Sequence, residues 1–270
     1  MTGEKTQTIL IKGAGEKASA VAHGLFKDGY EKLIMTDTDS PLAERRGVCF
    51  CEAVFERKKE VDGVVCKRTG PSVDAVKALW AVKNIPLLII PCDELINEIK
   101  PDIIIDSIMA KTNRGTSVDQ ASLVIALGPG FCAGKDAHYV IETNPNIPDL
   151  GKIIEEGCAE EHTGIPTEVS GKSLERLLAS PGTGTLRAVL DIGDPVREGE
   201  IIAYIGDKKL VSPLSGFVWG LIRSPAEVKE GQKLGDIYPG TDRNACFEIT
   251  PQAKIIAKAV RNAILKGIPV

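Results

Sequence analysis

The residues best placed to do chemistry come early, as Gly13-x-Gly15-x-x-Ala18 followed about twenty positions later by Asp37. Placed between a strand and a helix, each has a physical job. Gly13 permits a tight turn, Gly15 lets the backbone approach a pyrophosphate, and Ala18 lets the helix pack closely on the strand. The helix N-terminus offers N–H groups and a positive partial charge to a phosphate. A carboxylate at 37 can accept from a ribose hydroxyl. The pattern predicts a nucleotide-type ligand, and its alternative is a structural glycine turn with nothing bound.

A second glycine loop lies in LVIALGPGFCAGKDAHYVIET, residues 123–143. It is no P-loop: Gly134 falls one residue too far beyond Gly128, and Asp136 stands where a Ser or Thr would hold magnesium. Gly128, Gly130 and Gly134, with Asp136 and His138, still describe an amide-rich cradle for an anion. A turn that needs glycine for its shape is the alternative. Cys132 in this loop is read as a small buried residue in preference to a reactive thiol. Cys49-x-Cys51 would share one face of a strand and is read as a buried pair, not a metal site. No Ser-His-Asp, Cys-His or HExxH constellation is present, so the residues assign no reaction and predict no metal centre.

The elements that must position these residues alternate. TILIK (8–12) is a strand, 16–27 a helix stopped by Asp28-Gly29, and LIM (33–35) a second strand. VDGVVCK (61–67), PLLIIP (86–91), PDIIIDSIM (101–109), SLVIALG (122–128) and YVIET (139–143) read as further strands, with helices at 72–84 and 93–99. Several are apolar throughout, as parallel strands covered on both faces are. The prediction is an α/β fold with a Rossmann-like, doubly wound, mostly parallel sheet over residues 1–163.

From 164 to 245 the chain turns to short strands broken by Gly and Pro. Gly193-Asp194, Gly199, Ser212-Pro213 and Gly216 have the rhythm of a biotinyl/lipoyl-like barrel-sandwich. Asp207-Lys208-Lys209 stands where a prosthetic group would hang, but Ser212-Pro213 arrives too early for a full returning arm. No lipoyl or biotin group is expected. Residues 246–270 end in an amphipathic helix over 251–266, expected to pack on one of the domains or to mediate a homo-oligomer.

Composition narrows the classes. Aromatics at 4% argue against stacking platforms for single-stranded nucleic acid, and a formal charge of −4 argues against a phosphate-backbone partner. MTGEKTQT has no apolar signal core and no run of about 18 apolar residues occurs, which predicts a cytoplasmic protein with no membrane association. Seven scattered cysteines suit a reducing compartment better than a disulfide framework.

Taken together, IKGAGEKASAVAHGLFKDGY, TDTDSPLAERRGVCFCEAV, ALGPGFCAGKDAHYVIET and SPLSGFVWGLI resemble the selenium-dependent molybdenum hydroxylase system proteins, accessory (maturation) proteins distantly akin to the xanthine dehydrogenase accessory proteins. The resemblance implies that the chain serves a molybdenum hydroxylase and its maturation factors and binds a nucleotide-bearing cofactor such as a molybdopterin dinucleotide. It adds Arg45 and Arg46, the family's paired arginines, as phosphate ligands. Glu16 and Tyr238-Pro239-Gly240 depart from its pattern. The residues alone leave an NAD-dependent oxidoreductase, a carrier and a scaffold with empty loops as alternatives.

Overall fold

The computed structural model describes residues 5–91 and 93–267. Cys92 and the first four residues of MTGEKTQT lie outside them. The chain divides into two compact units. One comprises Met1–Pro41, Cys49–Thr163 and Pro251–Val270, the other Leu42–Val48 and Gly164–Thr250.

The first unit is built on a nine-stranded sheet. Its strands are β1 (Ile9–Lys12), β2 (Leu33–Asp37), β3 (Lys58–Val61), β4 (Val64–Arg68), β5 (Ile85–Ile89), β6 (Ile103–Asp106) and β7 (Leu123–Leu127), and beyond the short β8 (Cys132–Ala133), β9 (Tyr139–Ile141) and β10 (Ile153–Ile154). The spatial order is β10-β9-β7-β6-β1-β2-β5-β4-β3. Strands β9 to β4 in that order pair in parallel. The two edges, β10 on β9 and β3 on β4, are antiparallel. Ile9, Ile11, Ile103, Ile105, Val124 and Ile125 are almost wholly buried, which is what a parallel strand covered on both faces requires.

The helices are α1 (Glu16–Lys27), the single turn α2 (Ala53–Glu56), α3 (Val73–Ala81), α4 (Asp93–Ile99) and α5 (Pro251–Gly267). In α1 the spacing of Ala18, Val21, Ala22 and Leu25 puts all four on the buried face. Gly29, at φ +91°, ends it in the left-handed conformation. α5 lies along α1, tied by an Arg261–Asp28 ion pair of 2.9 Å. Ile256, Val260 and Ile264 are fully buried beneath it, each contributing roughly 1.5–3 kcal/mol by transfer from water.

The second unit has β12 (Leu177–Ala179), β13 (Gly184–Ala188), β14 (Pro195–Val196), β15 (Ile201–Ile205), β16 (Lys208–Val211), β17 (Gly216–Leu221), β18 (Ala226–Val228) and β19 (Lys233–Tyr238). They form two separate four-stranded antiparallel sheets, β12-β19-β17-β14 and β16-β15-β13-β18. Leu186, Ile202, Val218, Leu221, Leu234 and Ile237 form the centre of their apolar cluster.

The architecture corrects the one predicted from the sequence. The large sheet is mixed: at one edge Asp62-Gly63, both at positive φ, fold VDGVVCK into the β3–β4 hairpin, and at the other β10 pairs antiparallel with β9. Residues 164–245 form two antiparallel sheets and not a single barrel-sandwich module. Cys49 and Cys51 lie not on a strand but at the 3₁₀ turns Arg46–Val48 and Phe50–Glu52, and both thiols are buried, as the reading of a buried pair expects. Among the described residues no helix is long and apolar enough to cross a membrane.

Candidate functional site

The strand order reverses at β1: α1 carries the chain from β1 to its neighbour β2, and α4 later returns it from β5 to β6, which pairs with β1 on the opposite flank from β2. The carboxyl ends of β1 and β6 therefore flank a topological switch point, where open α/β sheets bind ligands. Gly13, Gly15, Ala18 and Asp37 come together at this edge.

Their roles differ from one another. Gly13 has φ +93°, and a Cβ there would lie 2.9 Å from the Ser107 carbonyl oxygen, so glycine is required by the approach of β6. The Gly13 amide donates to the Thr36 carbonyl at 2.8 Å. The Ala14 amide donates to Asp37 Oδ2 at 2.9 Å, and the Thr38 amide donates to Asp37 Oδ1 at 2.8 Å. Asp37 thus braces the loop through both oxygens. Burial pushes its carboxyl above the usual range, and the two amides pull partly back. Ala18 is fully buried.

Gly15 is the exception. It is the N-cap of α1 with no side-chain cap, at φ −69° and ψ −171°, and a Cβ there would meet nothing within 4 Å. The first-turn amides that every α-helix leaves without an intrahelical partner point past it, and the helix dipole adds positive potential.

Basic groups gather at this end. Lys17 stands in the first turn of α1, Lys111 follows β6, and both are close enough to His162 to help hold its imidazole below the ordinary histidine range, after burial itself. Next to Gly13, Ser107 is 3% exposed and its Oγ has no hydrogen-bond partner. Met109 and Lys111 have φ +59° and +63°, a conformation that costs a non-glycine residue about 1–2 kcal/mol.

A partly buried polar network underlies the edge. Lys12 Nζ donates to Thr116 Oγ1 and Gln120 Oε1, each at 2.8 Å, and Thr116 Oγ1 donates to Asp106 Oδ2 at 2.6 Å. Burial lowers the Lys12 ammonium, against the opposing pull of Asp106 and Asp93. Ser107, Lys111, His162 and this network escaped the sequence reading. The one signal was Asp106 closing an otherwise apolar run, PDIIID.

The second glycine loop is built differently. A Cβ at Gly128 would lie 2.3 Å from Thr143 Oγ1, and one at Gly130 would lie 2.7 Å from both the Lys111 oxygen and Thr112 Cα. Gly134 turns at φ +80° with open space around it. Asp136 Oδ2 accepts from the Cys132 amide at 2.8 Å and Oδ1 accepts from Asn113 Nδ2 at 3.1 Å. His138 Nδ1 accepts from the Val124 amide at 3.0 Å. Cys132 is bonded to Cys158 across the antiparallel pair of β8 with β11 (Gly157–Cys158), which differs from its reading as a small buried thiol.

Arg45 and Arg46 are in the second unit. Arg45 is 6% exposed and donates to the carbonyls of Trp219, Ala245 and Glu248, with its guanidinium 4.3 Å from the Trp219 ring centroid. Arg46 donates to the Leu221 carbonyl and pairs with Asp191. In the same unit Lys208 Nζ donates to the Pro181 carbonyl at 2.9 Å. No group of three or more His, Cys, Asp or Glu that could hold a metal occurs among the described residues.

No family model matches the chain. It is 39% identical over 259 residues to the uncharacterized protein YqeB of Escherichia coli, an alignment covering 96% of this chain and 47% of that protein. The chain thus spans about half the length of the curated relative it matches. Similar solved structures include the ectoine utilization protein EutE of Ruegeria pomeroyi (11% identity, TM-score 0.26, 86% of this chain and 85% of that one). An aspartoacylase family protein of Mesorhizobium loti gives 11% identity and TM-score 0.26 over 87% and 86% of the two chains. A succinylglutamate desuccinylase/aspartoacylase of Rhodobacter sphaeroides gives 21% identity and TM-score 0.22 over 32% and 30%.

The solved structures named above are an ectoine utilization protein, an aspartoacylase family protein and a succinylglutamate desuccinylase/aspartoacylase, not molybdenum hydroxylase accessory proteins, and the resemblance drawn from the sequence is corrected to that extent. The accessory role, with its selenium and molybdopterin dinucleotide, is set aside. So is the NAD-dependent oxidoreductase. The geometry supplies physical reasons. The paired arginines that carried part of the resemblance are spent on backbone carbonyls and Asp191, and each oxygen of Asp37 already accepts a loop amide. At TM-scores this low the neighbours lend the chain no activity of their own.

Proposed function

We propose that the first unit binds a phosphate-bearing small molecule of the nucleotide class at the N-terminus of α1. The phosphate lies over Gly15, receiving first-turn amides of α1, with Lys17 and Lys111 supplying the countercharge and His162 adding to it only as pH falls. The observation that carries this reading is Gly15: an N-cap glycine in an ordinary backbone conformation, facing open space, with no side-chain cap. Its neighbour Gly13 is explained by packing, whereas Gly15 is not. The unpartnered Ser107 hydroxyl and the left-handed Met109 and Lys111 in the loop that follows β6 support the same location. The reading names a ligand class and no reaction.

Calorimetry on the full chain with ADP, AMP, inorganic pyrophosphate and adenosine tests it. The three phosphates bind and adenosine does not. Gly15→Val lowers phosphate affinity at least about tenfold, because its side chain takes the phosphate's space. Equal affinity in wild type and Gly15→Val, or no phosphate binding at millimolar concentration, defeats the proposal.

A further inference from the structure

The Cys132–Cys158 bridge plays no part in the site above, and its surroundings are unlike those of the four buried thiols Cys49, Cys51, Cys66 and Cys246. Cys158 is exposed on a two-residue strand, and Cys132 is half-buried opposite it. Beside them opens a cavity of about 260 Å³ with Cys158 in its wall. That is room enough for a molecule of a few heavy atoms next to the sulfur.

The charge of this cavity is one-sided. Five carboxylates, those of Glu142, Asp149, Glu155, Glu156 and Glu160, line it against the single ammonium of Lys152. Lys152 is held by Asp149 at 2.8 Å, and Lys266 pairs with Glu155. Glu142 is buried and fixed by the amides of Thr143, Asn144 and Glu160. The five carboxylates outnumber these two ammoniums, and Glu156 and Glu160 are exposed.

We infer that Cys132–Cys158 is a thiol–disulfide exchange site that takes small cationic thiols through this acidic cavity. A thiolate R–S⁻ attacks Cys158 Sγ. The Cys132–Cys158 bond breaks, and its electron pair leaves on Cys132 Sγ, which takes a proton from water. A second R–S⁻ attacks the sulfur of R in the mixed disulfide, releasing RSSR and the Cys158 thiolate. Two small thiols are oxidised and the bridge is reduced. An aminothiol carries its ammonium toward Glu156 and Glu160 as its sulfur reaches Cys158, while a thiol bearing a carboxylate is repelled.

The test follows bridge reduction in the oxidised full chain by mass spectrometry after alkylation. The probes are cysteamine (cationic), 2-mercaptoethanol (neutral) and 3-mercaptopropionate (anionic), compared per thiolate at low salt. Cysteamine is expected to react about tenfold faster than 3-mercaptopropionate, with 2-mercaptoethanol between them. The spread shrinks at 1 M salt. Glu156→Gln/Glu160→Gln, two exposed substitutions, reduces it without altering the fold by circular dichroism. Equal rates for the three thiols overturn the inference, as does a spread unchanged in the double variant. So does a non-reducing digest in which Cys132 and Cys158 peptides stay unlinked after oxidation with cystamine. None of these outcomes bears on phosphate binding at α1.

Discussion

Gly15 in the first glycine loop and the pair Gly128 and Gly130 in the second are glycine for opposite reasons. Around Gly128 and Gly130 the space that a side chain would need is filled by Thr143, Lys111 and Thr112. Around Gly15 it is empty, and the backbone there is one that any residue adopts. A glycine forced by packing marks where two segments of the protein meet. A glycine forced by nothing in the protein marks where something else can approach. The contrast separates a structural turn from a binding loop more sharply than the spacing of the glycines does.

The largest effect that would sharpen this contrast is on stability. Gly130→Ala places a Cβ 2.7 Å from backbone atoms at φ +90°. The left-handed conformation and the overpacking together cost about 2–5 kcal/mol. Gly15→Ala, with no steric conflict, changes stability by less than about 1 kcal/mol. Thermal denaturation of the two variants decides it, and comparable losses would break the contrast.

A second, smaller effect concerns Asp37. Its folded pKa is raised by burial, so between the unfolded value of 3.8 and the folded one the native state holds more protons than the unfolded chain. Asp37's contribution to stability is then fullest below 3.8 and diminishes as pH rises through its folded pKa. The melting-temperature advantage of wild type over Asp37→Asn is expected to be larger at pH 4 than at pH 7. The opposite trend would mean that the two amides outweigh burial and hold Asp37 as a carboxylate braced by its own loop.

Much of the first unit could be read in advance because it rests on local periodicity. The limits of α1, the apolar strands and the helix from 251 follow from spacing that burial then enforces. What could not be read depends on contacts distant in sequence. Arg45 and Arg46 look like phosphate ligands until the segment Leu42–Val48 joins the second unit, where the carbonyls of Trp219, Leu221 and Glu248 take their donors. Cys132 and Cys158, separated by 26 residues, meet only through the pairing of β8 with β11. The basic cluster draws on three segments, at 17, 111 and 162, none of them remarkable alone.

A third prediction tests that cluster. His162 titrates below the ordinary value of 6.5, held there by burial and by Lys111 and Lys17. A bound phosphate favours the imidazolium, so affinity for pyrophosphate rises as pH falls from 7.5 to 5.5, by roughly threefold more in wild type than in His162→Gln. Identical pH profiles in the two proteins would remove His162 from the site and leave the amides and lysines to hold the anion.

The smallest effect separates ligand binding from packing at Ser107. Its hydroxyl is buried and unpartnered, and an unsatisfied buried polar group is destabilising. Without a ligand, Ser107→Ala is therefore neutral or stabilising by up to about 1 kcal/mol. If the hydroxyl is kept because a ligand completes its hydrogen bond, saturating pyrophosphate reverses the order, and wild type gains more melting temperature than the variant. An equal gain in both proteins would leave Ser107 outside the site, because a hydroxyl that touches no ligand cannot discriminate its presence. A larger gain in the variant would mean that the hydroxyl opposes the anion.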